Sequence, residues 1–363
     1  MKNTYGNSIT ITLFGESHGE AIGAVLDGIA PGIEVDEDFI KHQLNLRKSY
    51  GDISTKRNEA DEFSIISGVY NGYTTGTPIC IIIKNQNKIS KDYSSLENIA
   101  RPGHADYTAF LKYHGFEDAR GGGHFSGRIT APLVAAAAIV ISALRKKGIH
   151  IATHIKKCAE IEDRGFCELS NDIDELNNKR FAVLDDNAGE KMQEKIRAAA
   201  ANLDSVGGIL ETVVLGMPVG VGEPWFDSLE SMLSHGLFSI PAVKGVEFGD
   251  GFKLADMFGS TANDEFAVKD GKIVTKTNHN GGINGGISNG MPIIFSLGIK
   301  PTPSIAKPQQ TVDFVKKENV NLEIKGRHDP CIVHRARVVV DSITALILAD
   351  ALTQRFGTDY LKD

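Results

Sequence analysis

The sequence predicts a layered α+β fold in a single domain, and three observations carry that reading. Apolar stretches with the two-residue period of strands and others with the 3.6-residue period of helices are interleaved without a regular βαβ repeat. That pattern favours layered packing over a doubly wound parallel sheet. No segment looks like an interdomain linker, and no short-period repeat occurs. With 363 residues, 41% of them hydrophobic and 23% charged, the chain is long enough to bury a core that needs no staples.

Each element follows from local pattern. Residues 8–14 alternate apolar with polar and β-branched side chains, and 22–26 resume in apolar form after the Gly-Glu-Ser-His-Gly interruption, so His18 is expected between two strands. Asp36 is a candidate N-cap for a helix over 37–47, with Phe39, Ile40, Leu44 and Leu46 on its apolar side. Strands follow at 63–69 and 79–84, joined through Asn71-Gly72-Tyr73 and Gly76. Residues 85–128 are polar and loop-rich, and long loops in a compact domain are usually functional. The Ala-rich run 131–144, closed by Arg145-Lys146-Lys147, falls short of the roughly 20 residues needed to cross a bilayer and is expected as a buried helix over 130–146. A strand at 149–155 and a charged stretch at 157–190 come next. Further expectations are a helix at 191–202, a strand at 208–215, a helix at 225–237, a strand at 243–248, a Gly/Asn-rich loop at 278–290 and a final helix at 341–355.

Composition excludes several classes of function. The net charge of −7 argues against general attraction to nucleic acid or anionic membrane, so basic residues that matter must act locally. Cys80, Cys158, Cys167 and Cys331 are far apart with no C-x-x-C pair. This argues against a zinc ribbon, a redox dithiol or a disulfide scaffold, and fits a reducing cytoplasm. The N-terminal residues show no apolar segment of a secretory signal.

The candidate site residues sit in constrained loops. Arg47, Arg101, Arg120, Arg128 and Arg327 lie near glycine or histidine, and the guanidinium fork suits carboxylate and phosphate. A polyanionic small substrate is the leading idea. The run Arg120-Gly121-Gly122-Gly123-His124-Phe125-Ser126-Gly127-Arg128 precedes a strong helix, where amides could cradle a phosphate or an anionic ring. It is neither a Walker A motif nor a dinucleotide fingerprint. His104, His114 and His124 recur every ten residues, which is not a metal-ligand spacing on a helix, so no metal is expected. A hydrolase built from Ser17, His18 and Asp329 lacks the G-x-S-x-G elbow.

These motifs taken together resemble the chorismate synthase family. They are Gly15-Glu16-Ser17-His18-Gly19, Arg101-Pro102-Gly103-His104-Ala105-Asp106-Tyr107, the glycine run ending at Arg128, and Gly326-Arg327-His328-Asp329-Pro330-Cys331. Further matches fall at Thr75-Gly76-Thr77-Pro78, residues 243–249, Asn278-His279 with Gly281-Gly282, and Lys300-Pro301-Thr302, in the same order along nearly the whole chain. The resemblance implies a β-α-β sandwich, a homotetramer, and a flavin-dependent lyase of the shikimate pathway. Its reaction is the 1,4-trans elimination of phosphate from 5-enolpyruvylshikimate 3-phosphate, with reduced FMN required and NADPH as an indirect reductant.

Roles are implied residue by residue. His18 would donate a proton near flavin N1, His104 would stand by the leaving phosphate, and Asp329 would serve flavin N5, with Ser17 and Ser126 supporting that relay. Arg47, Lys48, Arg101, Arg128 and Arg327 would bind the substrate's carboxylates and phosphate. His124, Phe125, Ser126, Ala242, Gly285, Lys300, Pro301, Thr302, Pro303, Ser304 and Arg327 match flavin-contact positions, while His328 is expected to position its neighbours. The chain departs from the family pattern at His124, Phe125, Ile129, Pro241 and Asp341. A flavin reductase and a catalytically silent anion-binding relative are the alternative classes.

Overall fold

Two five-stranded antiparallel sheets enclose a layer of helices in the computed structural model, which describes residues 2–55, 59–86, 98–324 and 328–362. The first sheet runs Thr4–Tyr5, Thr10–Gly15, Ala21–Asp27, Ile79–Lys84, Phe63–Ser67. The second runs Val243–Phe248, Ile293–Ile299, Gly208–Leu215, His150–Cys158, Ile161–Glu162. Alternation decides which face is covered: Ile79, Ile81 and Ile83 are buried while the intervening residues are more open. The layered α+β expectation and the sandwich implied by the resemblance both hold.

Two helices fill the middle. Thr130–Lys146 packs on Ala21–Asp27 and Ile79–Lys84, Val333–Phe356 packs on His150–Cys158 and Gly208–Leu215, and the two helices pack on each other. Ala135, Ala136, Ala137 and Ala138 are fully buried, and their small side chains allow close approach on both sides. With the short helical turn before it, the apolar helical stretch spans Gly127–Lys146, longer than the sequence run suggested and enough on composition to cross a membrane. Its apolar window is 83% buried inside the molecule, as a core helix requires.

Local signals place the site. Gly15 pairs with Ile22 across the first hairpin, so residues 16–20 form the turn that carries Ser17 and His18. The helix Glu37–Arg47 begins where expected, with the Asp36 carboxylate accepting from the N–H groups of Asp38 and Phe39. Its last residue is Arg47, so the helix end delivers that guanidinium.

Several elements differ from the sequence reading. The last helix starts at Val333, not 341, because buried polar residues in its first turns, His334 and Arg337, break the apolar period. The charged stretch 157–190 contains the helix Leu169–Asn178, and the following helix starts at Asp186 behind its Asp185 cap. Asp106–Tyr113 is a helix inside the expected loop region. The 225–237 expectation divides into a short turn, Trp225–Asp227, and a helix, Leu229–Leu237, separated by the Ser228 cap. Ile293–Ile299, between two strands of the second sheet, followed the Gly-rich loop and was not anticipated.

Candidate active site

The glycine run exists to hold the first histidine. Gly121, Gly122 and Gly123 all have positive φ (61°, 87° and 51°), a region most side chains avoid. A Cβ on Gly121 would lie 2.0 Å from His18 Cε1, so only glycine leaves room for the ring. Ser17 N donates to Gly123 O at 3.1 Å, and Ser17 Oγ lies 3.1 Å from His18 Nδ1 and 3.2 and 3.3 Å from the carbonyls of Arg120 and Gly121. The Ser17 hydroxyl thus bridges the His18 ring and the carbonyls of the glycine run. His18 is buried at 4% exposure. His124 Nδ1 is 2.8 Å from Gly15 O, tying the run to the hairpin, and Phe125 is exposed against Tyr113. Ser126 Oγ accepts from Arg128 N at 3.2 Å, so in this structure it caps a turn beside the arginine.

Beside this lies a buried arginine cluster. Asp61 accepts from Arg47 Nη2 at 2.9 Å through one oxygen and from Arg128 Nη1 through the other. Arg128 Nη2 is 3.4 Å from Glu59 Oε2, and Arg128 Nε donates to Asn85 Oδ1 at 3.1 Å. Arg47 Nη1 reaches Thr130 Oγ1 at 3.4 Å. Among the described residues, Arg47 Nε and Arg128 Nη2 are buried without a hydrogen-bond partner. A buried donor is costly to leave unmet, and Arg128 Nη2 has only its long ion pair with Glu59, so both donors are suited to an anionic ligand. Burial would raise the Asp61 pKa, but the charges of Arg47 and Arg128 prevail and hold it below the usual carboxylate range. Lys48 Nζ instead donates to Ala60 O at 2.8 Å, so it braces this loop.

Asp329 joins the same cluster. Its Oδ1 accepts from Thr55 N at 2.8 Å and its Oδ2 from Arg335 Nη1 at 2.6 Å, while Arg335 Nε donates to Arg47 O at 3.0 Å. Arg327 lies outside the described residues.

The third group forms around His104. Arg101 grips Asp106 through Nε at 2.8 Å and Nη2 at 2.7 Å. This pairing at the start of the Asp106–Tyr113 helix occupies the fork that was expected to hold substrate. His104 Nε2 is 2.7 Å from Ser304 Oγ, and Lys300 Nζ donates to Gly103 O at 2.7 Å. Lys300 N bonds Ala242 O at 3.0 Å, and Ala242 itself sits at φ 76°. Pro303 is 2.9 Å from where a Gly103 Cβ would be, and Thr302 Oγ1 is buried with no partner among the described residues. Pro301 is exposed beside them. Gly285 is on a separate exposed hairpin whose hydrogen bonds run to Gly220, Val221 and Leu229.

His104 carries an electrostatic signature. Burial, then the charges of Arg101, Lys300 and His328, lower its pKa to about 4 against the opposing pull of Asp106, so its ring is neutral at pH 7 without ligand. Hydrogen bonds and ion pairs connect Asp329, Arg335, Arg47, Asp61, Arg128 and, through Asn85, the His18 turn. Asp61, Glu59, Asn85, Thr55 and Arg335 were not foreseen, since none stands in a recognisable local spacing. Among the described residues no group of three or more His, Cys, Asp or Glu side chains is arranged to hold a metal ion.

Known proteins of one family match nearly the whole chain. Residues 9–353 match the family model described as chorismate synthase. The chorismate synthase of Thermococcus kodakarensis is 45% identical over 350 residues, covering 96% of this chain and 97% of the relative. That of Pyrococcus abyssi is 46% identical over 351 residues, 96% and 97% of the two chains. That of Lachnoclostridium phytofermentans is 46% identical over 365 residues, 99% and 98%. A solved structure described as the crystal structure of chorismate synthase superposes with a TM-score of 0.76 at 27% identity, over 97% of this chain and 94% of that one.

Proposed function

The chain belongs to the chorismate synthase family, enzymes of the lyase class, and from that premise we propose that it eliminates phosphate from 5-enolpyruvylshikimate 3-phosphate to give chorismate, with reduced FMN bound. The observation that carries the substrate reading is the buried guanidinium pair held by Asp61, in which, among the described residues, Arg47 Nε has no hydrogen-bond partner and Arg128 Nη2 has only a 3.4 Å ion pair with Glu59. A substrate with two carboxylates and a phosphate satisfies such donors. We read the chain as one catalytic domain, cytoplasmic and homotetrameric, with NADPH entering only as an indirect reductant of the flavin.

The residues fit a flavin on one further observation: the buried, unpartnered hydroxyl of Thr302 lies in the segment that packs on the His104 loop. Lys300, Thr302, Ser304 and Ala242 would hold it there, with Gly285, Pro301, Pro303, His124, Phe125, Ser126 and Arg327 as the further candidates. When bound, the reduced ring supplies electron density and a basic N5 to accept the substrate's C6 proton. Arg47 and Arg128 bind and orient the anion. His18, its Nδ1 beside Ser17 Oγ, would handle a proton at the flavin. Asp329 has both oxygens engaged, so it is pre-oriented as an acceptor. His104 is neutral in the free chain, and a phosphate dianion beside it favours the protonated ring, so the cation forms when the leaving group is in place.

The test is anaerobic turnover with chemically reduced FMN. Product is expected only with reduced flavin, and His104→Ala should lower kcat by about 10²- to 10⁴-fold. Turnover unchanged in His104→Ala would remove its role, and no product from the unaltered chain would remove the reading. NADPH absorbance should stay flat when the chain is mixed with NADPH and FMN.

A further inference from the structure

Asn85 directly follows the Ile79–Lys84 strand and engages three groups with one amide. Its Nδ2 donates to Glu16 O at 3.0 Å and Gly19 O at 3.1 Å, the carbonyls on either side of Ser17 and His18. Its Oδ1 accepts from Arg128 Nε at 3.1 Å. The residue is 7% exposed, and its own N–H donates to Glu20 O at 3.1 Å. Only one orientation of the amide works. Turned over, it would set oxygen against two carbonyl oxygens and NH₂ against a guanidinium. Arg128 Nη1 is already committed to Asp61, so the bond through Nε fixes the plane of the fork and the direction of Nη2, which lies 3.4 Å from Glu59 Oε2.

We propose that Asn85 is a positioning residue of the elimination, holding the His18 turn and the Arg128 guanidinium in one frame so that the proton-handling ring and the anion-binding fork keep a set separation. This rests on the roles of His18 and Arg128 given above. The amide bonds both the backbone of the His18 turn and the Arg128 guanidinium, which makes their geometry common. An isosteric carboxylate cannot do this: it would keep the Arg128 contact but set oxygen against the carbonyls of Glu16 and Gly19.

The experiment compares Asn85→Asp and Asn85→Ala in the full chain by two readouts. The first is the NMR C2–H resonance of His18, identified by its loss in a His18→Ala sample and followed through a pH titration without turnover. The second is kcat and KM for the substrate with reduced FMN. Asn85→Asp is expected to move the His18 resonance and lower kcat about 10- to 100-fold with KM within about threefold, since a misplaced ring costs rate while Arg128 stays clamped. Asn85→Ala should lower kcat similarly and raise KM at least about fivefold, and adding Arg128→Lys should worsen KM by less than about twofold beyond Arg128→Lys alone. An unmoved His18 resonance with unchanged kcat, or equal losses of kcat and KM in both variants with additive doubles, would overturn the proposal. Should Asn85→Asp fail to fold, Asn85→Ala carries both readouts. If the unaltered chain makes no product, the catalytic reading fails, while the His18 titration still decides whether Asn85 sets that ring.

Discussion

Asp61 places one carboxylate between two buried guanidiniums from a backbone at φ 54°, a conformation uncommon for residues other than glycine. The charge matters as much as the shape. Without it, Arg47 and Arg128 are two buried cations with only the longer Glu59 contact on Arg128 as a counter-charge, and their remaining donors lose a fixed aim. Asp61→Asn keeps the volume and removes the charge, so KM for the substrate should rise about tenfold or more and unfolding free energy should fall by about 3–5 kcal/mol. Steady-state kinetics and urea denaturation measure the two, and an unchanged KM would show that the arginines need no clamp. The arginines were legible because residue type and glycine neighbours mark a loop built for anions. Asp61, Asn85 and Arg335 were not: a carboxylate or amide in a polar stretch is ordinarily a solvated surface group. Only the tertiary approach of residues 61 and 335 to the Arg47 helix end, and of residue 85 to Arg128, gives them a role. Arg101 was legible from its motif, while the pairing of its Nε and Nη2 with Asp106 was not.

Elements were legible wherever one face meets the core and the other meets water. The strands at 79–84 and 243–248 and the helix at 37–47 follow from period and caps, whereas the strand at 208–215, buried on both faces, was legible as an apolar run. The final helix is buried along most of its length, so amphipathic period fails there and its start was read late. His334 in its first turn illustrates the energetic consequence. It is 1% exposed, bonded to Ser54 Oγ at 2.7 Å and stacked on Phe181. Burial, then the charges of Arg335 and Arg180, lower its pKa to about 3. The folded value is below the unfolded one, so the unfolded chain takes up a proton that the folded chain refuses. Stability from this group is complete above the unfolded pKa and is lost as pH falls towards about 3. Between pH 6 and 4, stability of the unaltered chain relative to His334→Gln should fall by up to about 1.4 kcal/mol per pH unit. Urea midpoints of both proteins across that range check it, and parallel curves would mean that His334 does not titrate on unfolding. Using the difference isolates His334 from His104, which acts in the same direction, and from His154. Burial alone would depress His154, but its hydrogen bonds to Asp163 and Glu211 win and raise it, so its contribution is lost at high pH.

At the scale of the whole molecule, the site is assembled from parts of the chain that are remote in sequence, and the C-terminal helix is the element they share. Its first turns bring Arg335 to Asp329 and Arg47, and near its far end Asp350 accepts from the N–H groups of Asn7 at 3.0 Å, Ser8 at 2.7 Å and Ile9 at 2.9 Å. Those three amides lead into the Thr10–Gly15 strand, which carries the chain to the His18 turn. One carboxylate, 4% exposed, thus fixes where the first sheet begins relative to the helix that lies on the second. Asp350→Ala leaves three backbone donors unmet and should cost about 3–5 kcal/mol, with Asp350→Asn intermediate because it keeps one oxygen as an acceptor. Hydrogen exchange separates this anchoring from general destabilisation. At denaturant concentrations well below the transition, amides 7–9 of Asp350→Ala should exchange much faster than in the unaltered chain. Strand amides that pair with Ala21–Asp27 should stay protected up to the lowered global free energy. Uniform loss of protection across both sets would instead make Asp350 a plain core residue, and the entry of the His18 strand would then be set by sheet pairing alone.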